Sequence, residues 1–153
     1  METIQFEQKE FKHFDDLDEG DRQKMIQICL DIFPDFQVDR LLFKLKEASN
    51  FLLIIAKHEG NWVGFKFGFA RAPDLFYSML GGVTTPFRKK GLAQEMMNRQ
   101  HEWCRKKGYK KVQTKTLNQW KSMLILNIRN GFDIVKVYQK EGQPLKIILE
   151  KDL

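Results

Sequence analysis

Cysteine is scarce in this chain, with only Cys29 and Cys104 among 153 residues. They fall on separate predicted helices, and nothing suggests a disulfide framework, which fits a reducing compartment. The three histidines, His13, His58 and His101, are widely spaced and make no ligand pattern with the cysteines, so no metal is expected. No apolar run reaches the ~18 residues that a membrane-crossing helix needs. The opening METIQFEQKEF is too acidic and too broken for a secretory leader. A cytoplasmic protein without a membrane partner is expected. Three chemical signatures are missing as well. There is no Gly-Lys-Ser/Thr phosphate loop, no G-x-G-x-x-G opening a βαβ unit, and no G-x-S-x-G nucleophile elbow. Repeats, low-complexity tracts and linkers are absent too, so residues 1–153 read as one domain.

What is present is a balanced core-forming composition, 42% hydrophobic and 30% charged, with net charge +6 and pI near 9.3. Polyanions are natural partners for such a chain: coenzyme A, nucleic acid or an acidic surface. The most informative stretch is Gly81–Ala93, GGVTTPFRKKGLA. A strand-like run, Leu75–Val83, enters a polar turn, Val83-Thr84-Thr85. Three cations follow (Arg88, Lys89, Lys90), then Gly91, and an amphipathic helix begins with Leu92 and Ala93. A helix start offers unpartnered N–H groups and the positive end of the helix dipole. Glycine lets a bulky anion reach that backbone, and the cations add charge, so the segment is a pyrophosphate cradle in chemical terms.

Periodicity and breakers place the other elements. Strands are predicted at Ile4–Glu10, Phe51–Ala56, Trp62–Ala70, Leu75–Val83, Lys111–Leu117, Phe132–Tyr138 and Leu145–Glu150. Helices are predicted at Leu17–Phe33, Val38–Ala48, Gly91–Lys107 and from an Asn118 N-cap through Arg129. Phe65, Phe67 and Phe69 share one strand face, while Gly64, Lys66 and Gly68 on the other invite a close backbone approach. Gly81-Gly82 suits a bulge or bend.

Arg88-x-x-Gly91-x-Ala93 after Val83-Thr84-Thr85 resembles the acetyl-CoA motif of the GNAT superfamily of N-acetyltransferases, and the element order β-α-α-β-β-β-α-β-α-β-β is the GNAT order. Asn118–Phe132, an Asn, a helix and then Gly131-Phe132, resembles the family's later signature. The resemblance implies an α+β, three-layer fold. Its central sheet is mixed, mostly antiparallel and six- to seven-stranded, with strands 4 and 5 parallel and splayed and four helices flanking it. It implies an acyltransferase that moves acetyl from acetyl-CoA, used as co-substrate, to a primary amine by direct attack in a ternary complex. The coenzyme-binding positions it implies are Val83, Thr84, Thr85, Arg88, Lys89, Lys90, Gly91, Leu92, Ala93, Asn118 and Asn127. Pantetheine would lie between the splayed strands, and a backbone N–H near Val83 or Thr84 would polarise the thioester carbonyl.

Two departures from the family pattern bear on catalysis. Many members carry a tyrosine acid where this chain has Asn127; the amide is either satisfied by nearby backbone or bonds the coenzyme. Histone-modifying relatives place a glutamate base eleven residues before the first basic cradle position, and here that residue is Tyr77, read either as a wall of the acceptor pocket or as a proton relay. Asp74, Glu47 and the histidines are further base candidates. The acceptor pocket is expected among the first two helices, the Phe-rich strand and the final hairpin, with Asp35, Asp39 and Glu47 available to attract a cation. Two other readings stay open: an acyl-CoA-binding regulator without turnover, and a nucleic-acid module using Lys106, Lys107, Lys110, Lys111 and Lys115 beside Trp103 and Tyr109. The acceptor is unidentified, and a homodimer is left open.

Overall fold

The computed structural model describes residues 3–153. The elements run β1 (Gln5–Phe11), α1 (Glu19–Ile32), α2 (Val38–Leu45), β2 (Ser49–His58), β3 (Asn61–Ala72), β4 (Leu75–Val83), α3 (Leu92–Lys107), β5 (Lys111–Leu117), α4 (Lys121–Arg129), β6 (Asp133–Tyr138) and β7 (Lys146–Asp152). They form one seven-stranded sheet in the order β1-β2-β3-β4-β5-β7-β6. Every neighbouring pair is antiparallel except β4 and β5, which are parallel.

The period of two along β2 divides its side chains between two cores. Leu52, Ile54 and Ala56 face Met96, Met97 and Cys104 of α3, with α4 packing on the same side. Phe51, Leu53 and Ile55 face Met25, Ile28 and Cys29 of α1 and Leu41 and Leu45 of α2. Six consecutive β2 residues, from Phe51 to Ala56, are at most 1% exposed, and each large side chain among them contributes roughly 1.5–3 kcal/mol of burial. The phenylalanines of β3 join the α1/α2 core as the alternation predicts. The close approach expected opposite them is made by the protein itself. A Cβ on Gly64 would lie 3.2 Å from Met96 Cε, and one on Gly68 would lie 2.3 Å from the Tyr77 carbonyl and 2.6 Å from the Phe76 ring.

Some boundaries differ from the sequence expectation for local reasons. Asp18 accepts a hydrogen bond from the Asp21 N–H and starts α1, while Leu17 turns into the core at 3% exposure. Asn118 does not cap α4. Trp120 is the N-cap residue, and the exposed Asn118 side chain accepts instead from Lys121 Nζ at 3.0 Å. Gly81 and Gly82 pair regularly with Lys66 and Phe65; the irregularity in β4 falls at Met79, between the Gly68–Ser78 and Phe67–Leu80 pairs.

Candidate active site

Strands β4 and β5 pair only from Leu75–Lys111 to Ser78–Thr114. Above Ser78 the bulge at Met79 turns β4 away, and the two strands part. Side chains brace the fork: Thr114 Oγ1 donates to the Ser78 carbonyl at 2.9 Å, and Gln100 Nε2 of α3 donates to Ser78 Oγ at 3.2 Å. Past the fork, the Thr84 N–H donates to the Val63 carbonyl at 2.8 Å. In an antiparallel ladder successive N–H groups alternate sides, so those of Val83 and Gly81 point away from β3 into the gap. Of the two candidates for an oxyanion donor, Thr84 is therefore committed to β3 and Val83 is available. Two buried polar atoms on the α3 side, Gln100 Oε1 and Thr116 Oγ1, have no partner among the described residues. The strand from the fork to Val83 spans roughly 15 Å at ~3.3 Å per residue, long enough for an extended pantetheine arm.

At the open end of the gap, Thr85–Phe87 form a short 3₁₀ turn. Lys89 (φ 62°) and Gly91 (φ 82°) both adopt left-handed backbone, and Gly91 is the N-cap of α3 rather than its first residue. A Cβ at Gly91 would meet no protein atom within 4 Å, so the space over the helix start is clear for an anion. Arg88 folds back, its Nε donating to the Val83 carbonyl at 2.9 Å, and Lys90 Nζ lies 5.4 Å from the Phe87 ring centre. Leu92 is 7% exposed and packs into the α3 core, so only its backbone is available to a ligand. Ala93 is partly buried beside it. Thr85 is exposed on the turn, and Asn118 lies in the exposed turn after β5.

Asn127 is 3% exposed on α4, and its side-chain amide makes no hydrogen bond to the described residues. Its backbone carbonyl accepts from Asn130 and Phe132, each at 3.1 Å. The residue is thus buried without its amide being spent on local backbone.

Tyr77 is 6% exposed and faces the α1/α2 side. Its ring meets Phe69 edge-on at 5.5 Å and carries the Arg71 guanidinium 3.8 Å from its centre. Burial is the largest influence on its phenol and pushes the pKa up, against the lowering effect of Arg71. The tyrosine is therefore a poorer base at neutral pH than a free one. Burial alone pushes the Cys29 thiol up to about 12. It does the same for Cys104, against weak opposing charges, so neither is an available nucleophile. His101 is buried with its pKa pushed down to about 3, first by burial and then by Lys151, Lys66 and Arg105. Asp74 sits at the far end of β4, where its carbonyl accepts from Lys110 and Lys111.

Sequence reasoning missed the bracing set Ser78, Thr114 and Gln100, and the chain from Arg71 Nη1 to Gln113 Oε1 (2.7 Å) and from Gln113 Nε2 to Glu150 Oε2 (2.8 Å). Both depend on cross-strand register. The basic cluster near the end of α3 has acidic partners: Lys107 with Glu10, Lys106 with Glu102, and Lys111 with Glu150 and Asp152. Lys115 lies apart, on the α1/α2 face of β5. Among the described residues no helix is long and apolar enough to cross a membrane.

A mixed sheet forked between parallel strands, with an open helix start at the mouth of the fork, can take an anionic group at the helix start and an extended polar arm along the strand. The profile of the Acetyltransferase (GNAT) family matches residues 22–121; the chain belongs to that family and is an acyltransferase. Similar solved structures include NAA60 from Arabidopsis thaliana in complex with acetyl-CoA (18% identity, TM-score 0.74, covering 99% of each chain). The ribosomal-protein-S18-alanine N-acetyltransferase from Escherichia coli is also similar (14% identity, TM-score 0.75, covering 95% of this chain and 94% of that one). So is a GNAT family acetyltransferase from Elizabethkingia anophelis with acetyl-CoA bound (16% identity, TM-score 0.70, covering 98% of each). No curated protein matches the chain significantly.

Proposed function

We propose that the protein transfers the acetyl group of acetyl-CoA to a primary amine by direct attack in a ternary complex. The observation that carries this reading is the continuity of two features: a clear helix start capped by Gly91, and a strand gap into which the Val83 and Gly81 N–H groups point. Pyrophosphate fits the first turn of α3, where unpartnered N–H groups and the helix dipole favour negative charge. The guanidinium N–H groups that Arg88 has left, with Lys89 and Lys90, supply charge around it. Pantetheine then runs along β4 as an added strand would, within reach of the Asn127 amide. The thioester carbonyl meets a strand N–H, which stabilises the oxyanion formed on attack. Relatives bound to acetyl-CoA support the choice of co-substrate.

An amine with a pKa near ~10.4 must lose a proton before it attacks. Tyr77, with its pKa raised, serves as a wall of the acceptor pocket, and solvent in the open half of the cleft takes the proton. Asn127 cannot protonate the departing sulfur, but a thiol with pKa near ~8.5 leaves adequately as thiolate. The same absence of an acid is what a regulator without turnover would have, and one experiment separates the two: thiol release from acetyl-CoA by the pure protein across a broad amine panel. Release that depends on an amine supports transfer. Tight acetyl-CoA binding with no release on any amine supports the regulator.

A further inference from the structure

The face of the sheet opposite α3 is only half covered. Helices α1 and α2 pack over β2 and β3, while Gln113, Lys115 and Leu117 of β5 and Lys146, Ile148 and Glu150 of β7 are only partly buried. The register joins these residues to the fork. Gln113 lies opposite Tyr77, Thr114 opposite Ser78 where pairing ends, and Lys115 is the first residue of β5 beyond it. Lys115 shares the face of Gln113, because side chains two apart on a strand point the same way. The uncovered half of this face therefore opens directly beside the point where the strands part.

The charges around that opening are positive. Arg71 is aimed by two contacts, the Tyr77 ring beneath it and the Gln113 carbonyl that accepts from its Nη1. Neither contact neutralises it. Lys115 comes from β5, Lys146 from β7, and Arg40 and Lys44 from one side of α2, four residues apart. None of the five forms an ion pair among the described residues. Lys44 registers the convergence: burial first, and then the like charges of Lys115, Arg40, Lys146 and Arg71, push its ammonium pKa down. Glu150 of β7, beside Gln113, is already bonded to it and lies within 3.9 Å of Lys111. Asp39 on α2 is exposed. Like charges gathered on one face of the sheet repel each other in the free protein, and a bound anion removes that repulsion while gaining charge-assisted hydrogen bonds. Asp35, Asp39 and Glu47, which the sequence offers either to a cation or to solvent, are exposed.

We infer that the acceptor is a small amine that also carries an oxyanion, a carboxylate or a phosphate, held by Arg71 and Lys115 while its amino group reaches the fork. The inference rests on the acetyl-transfer reading. An anionic anchor orients the molecule with its amine away from the cations, and the positive field of the cleft also favours the neutral, nucleophilic form of that amine.

The test uses protein saturated with coenzyme A, so that the cradle cannot bind the probe. Calorimetric titration compares 4-aminobutyrate with butylamine, and O-phosphoethanolamine with ethanolamine. At least one member carrying the anionic group is expected to bind tenfold or more tightly than its partner without it, and the pair that shows this identifies carboxylate or phosphate. The preference is expected to fall to within threefold in an Arg71→Gln, Lys115→Gln double variant that still binds coenzyme A. Arg71→Gln alone is expected to weaken it if the double variant fails to fold. Equal binding of both members, tighter binding of the ones without the anionic group, no detectable binding of any, or a preference that survives these substitutions overturns the inference. A protein that binds coenzyme A yet lacks the preference contradicts only this step, whereas one that does not bind coenzyme A contradicts the acetyl-transfer reading beneath it.

Discussion

Arg88 Nε donates to the carbonyl of Val83 at 2.9 Å, tying the first cation of the cradle to the last residue of the strand that feeds it. The residue therefore has two jobs, closing the strand end and presenting its remaining N–H groups to an anion. Arg88→Ala removes both and is expected to weaken acetyl-CoA binding by about 1–3 kcal/mol. Arg88→Lys restores the charge without the planar fork and should recover only part of that. Full recovery in calorimetric titration would mean that charge alone matters.

Tyr77 and Asn127 are separated by the pH profile. With the Tyr77 pKa raised by burial, Tyr77→Phe is expected to change acceptor KM modestly and leave the pH profile in place. A kcat loss of about 10²-fold or more, with acceptor binding unchanged, would instead make Tyr77 a proton relay. Asn127→Ala is expected to raise the acetyl-CoA KM without changing the shape of the profile. Asn127→Tyr supplies the family's usual acid and is expected to give no gain in kcat if thiolate departure is already easy.

Gly68 has no room for a side chain. A Cβ there would sit 2.3 Å from the Tyr77 carbonyl and 2.6 Å from the Phe76 ring, so Gly68→Ala must push β4 off β3 or move a core aromatic. A loss of about 1–3 kcal/mol or more is expected, read from urea unfolding midpoints. A change within roughly 0.5 kcal/mol, the range of a neutral surface substitution, would contradict the packing described.

His101 predicts a slope in acid. Its folded pKa is pushed down to about 3, while an unfolded histidine titrates near ~6.5. As pH falls between these values the unfolded chain takes up a proton that the folded chain refuses, so stability present above ~6.5 is lost through this window. His101→Gln removes that contribution. The wild-type unfolding midpoint is expected to fall more steeply than the variant's between about pH 6.5 and 4, as measured by urea titration at each pH.

The cradle was legible because its signals are local. Gly91, the cations before it and the amphipathic run after it occupy adjacent positions, and the strands of the core declare themselves by alternation. The helix starts were less so, since Asp18 and Trp120 compete with equally plausible neighbours for the cap. The fork, the Met79 bulge and the Arg71–Gln113–Glu150 chain were hidden. Each is a consequence of which residue lies opposite which across strands that meet only in the folded sheet, and no local pattern encodes that.

The central claim is that the helix start at Gly91 holds the pyrophosphate of acetyl-CoA, and one calorimetric comparison tests it: acetyl-CoA titrated into wild type, Gly91→Ala and Gly91→Val, each shown to be folded by its thermal transition. Both substitutions place a side chain at φ 82°, which costs about 1–2 kcal/mol of strain, so the comparison is made on binding rather than on stability. Binding is expected in the wild type, weaker in Gly91→Ala, and tenfold or more weaker in Gly91→Val, whose branched side chain enters the clear space above the helix. Wild-type affinity in a folded Gly91→Val protein, or no acetyl-CoA binding by the wild type, would contradict the account.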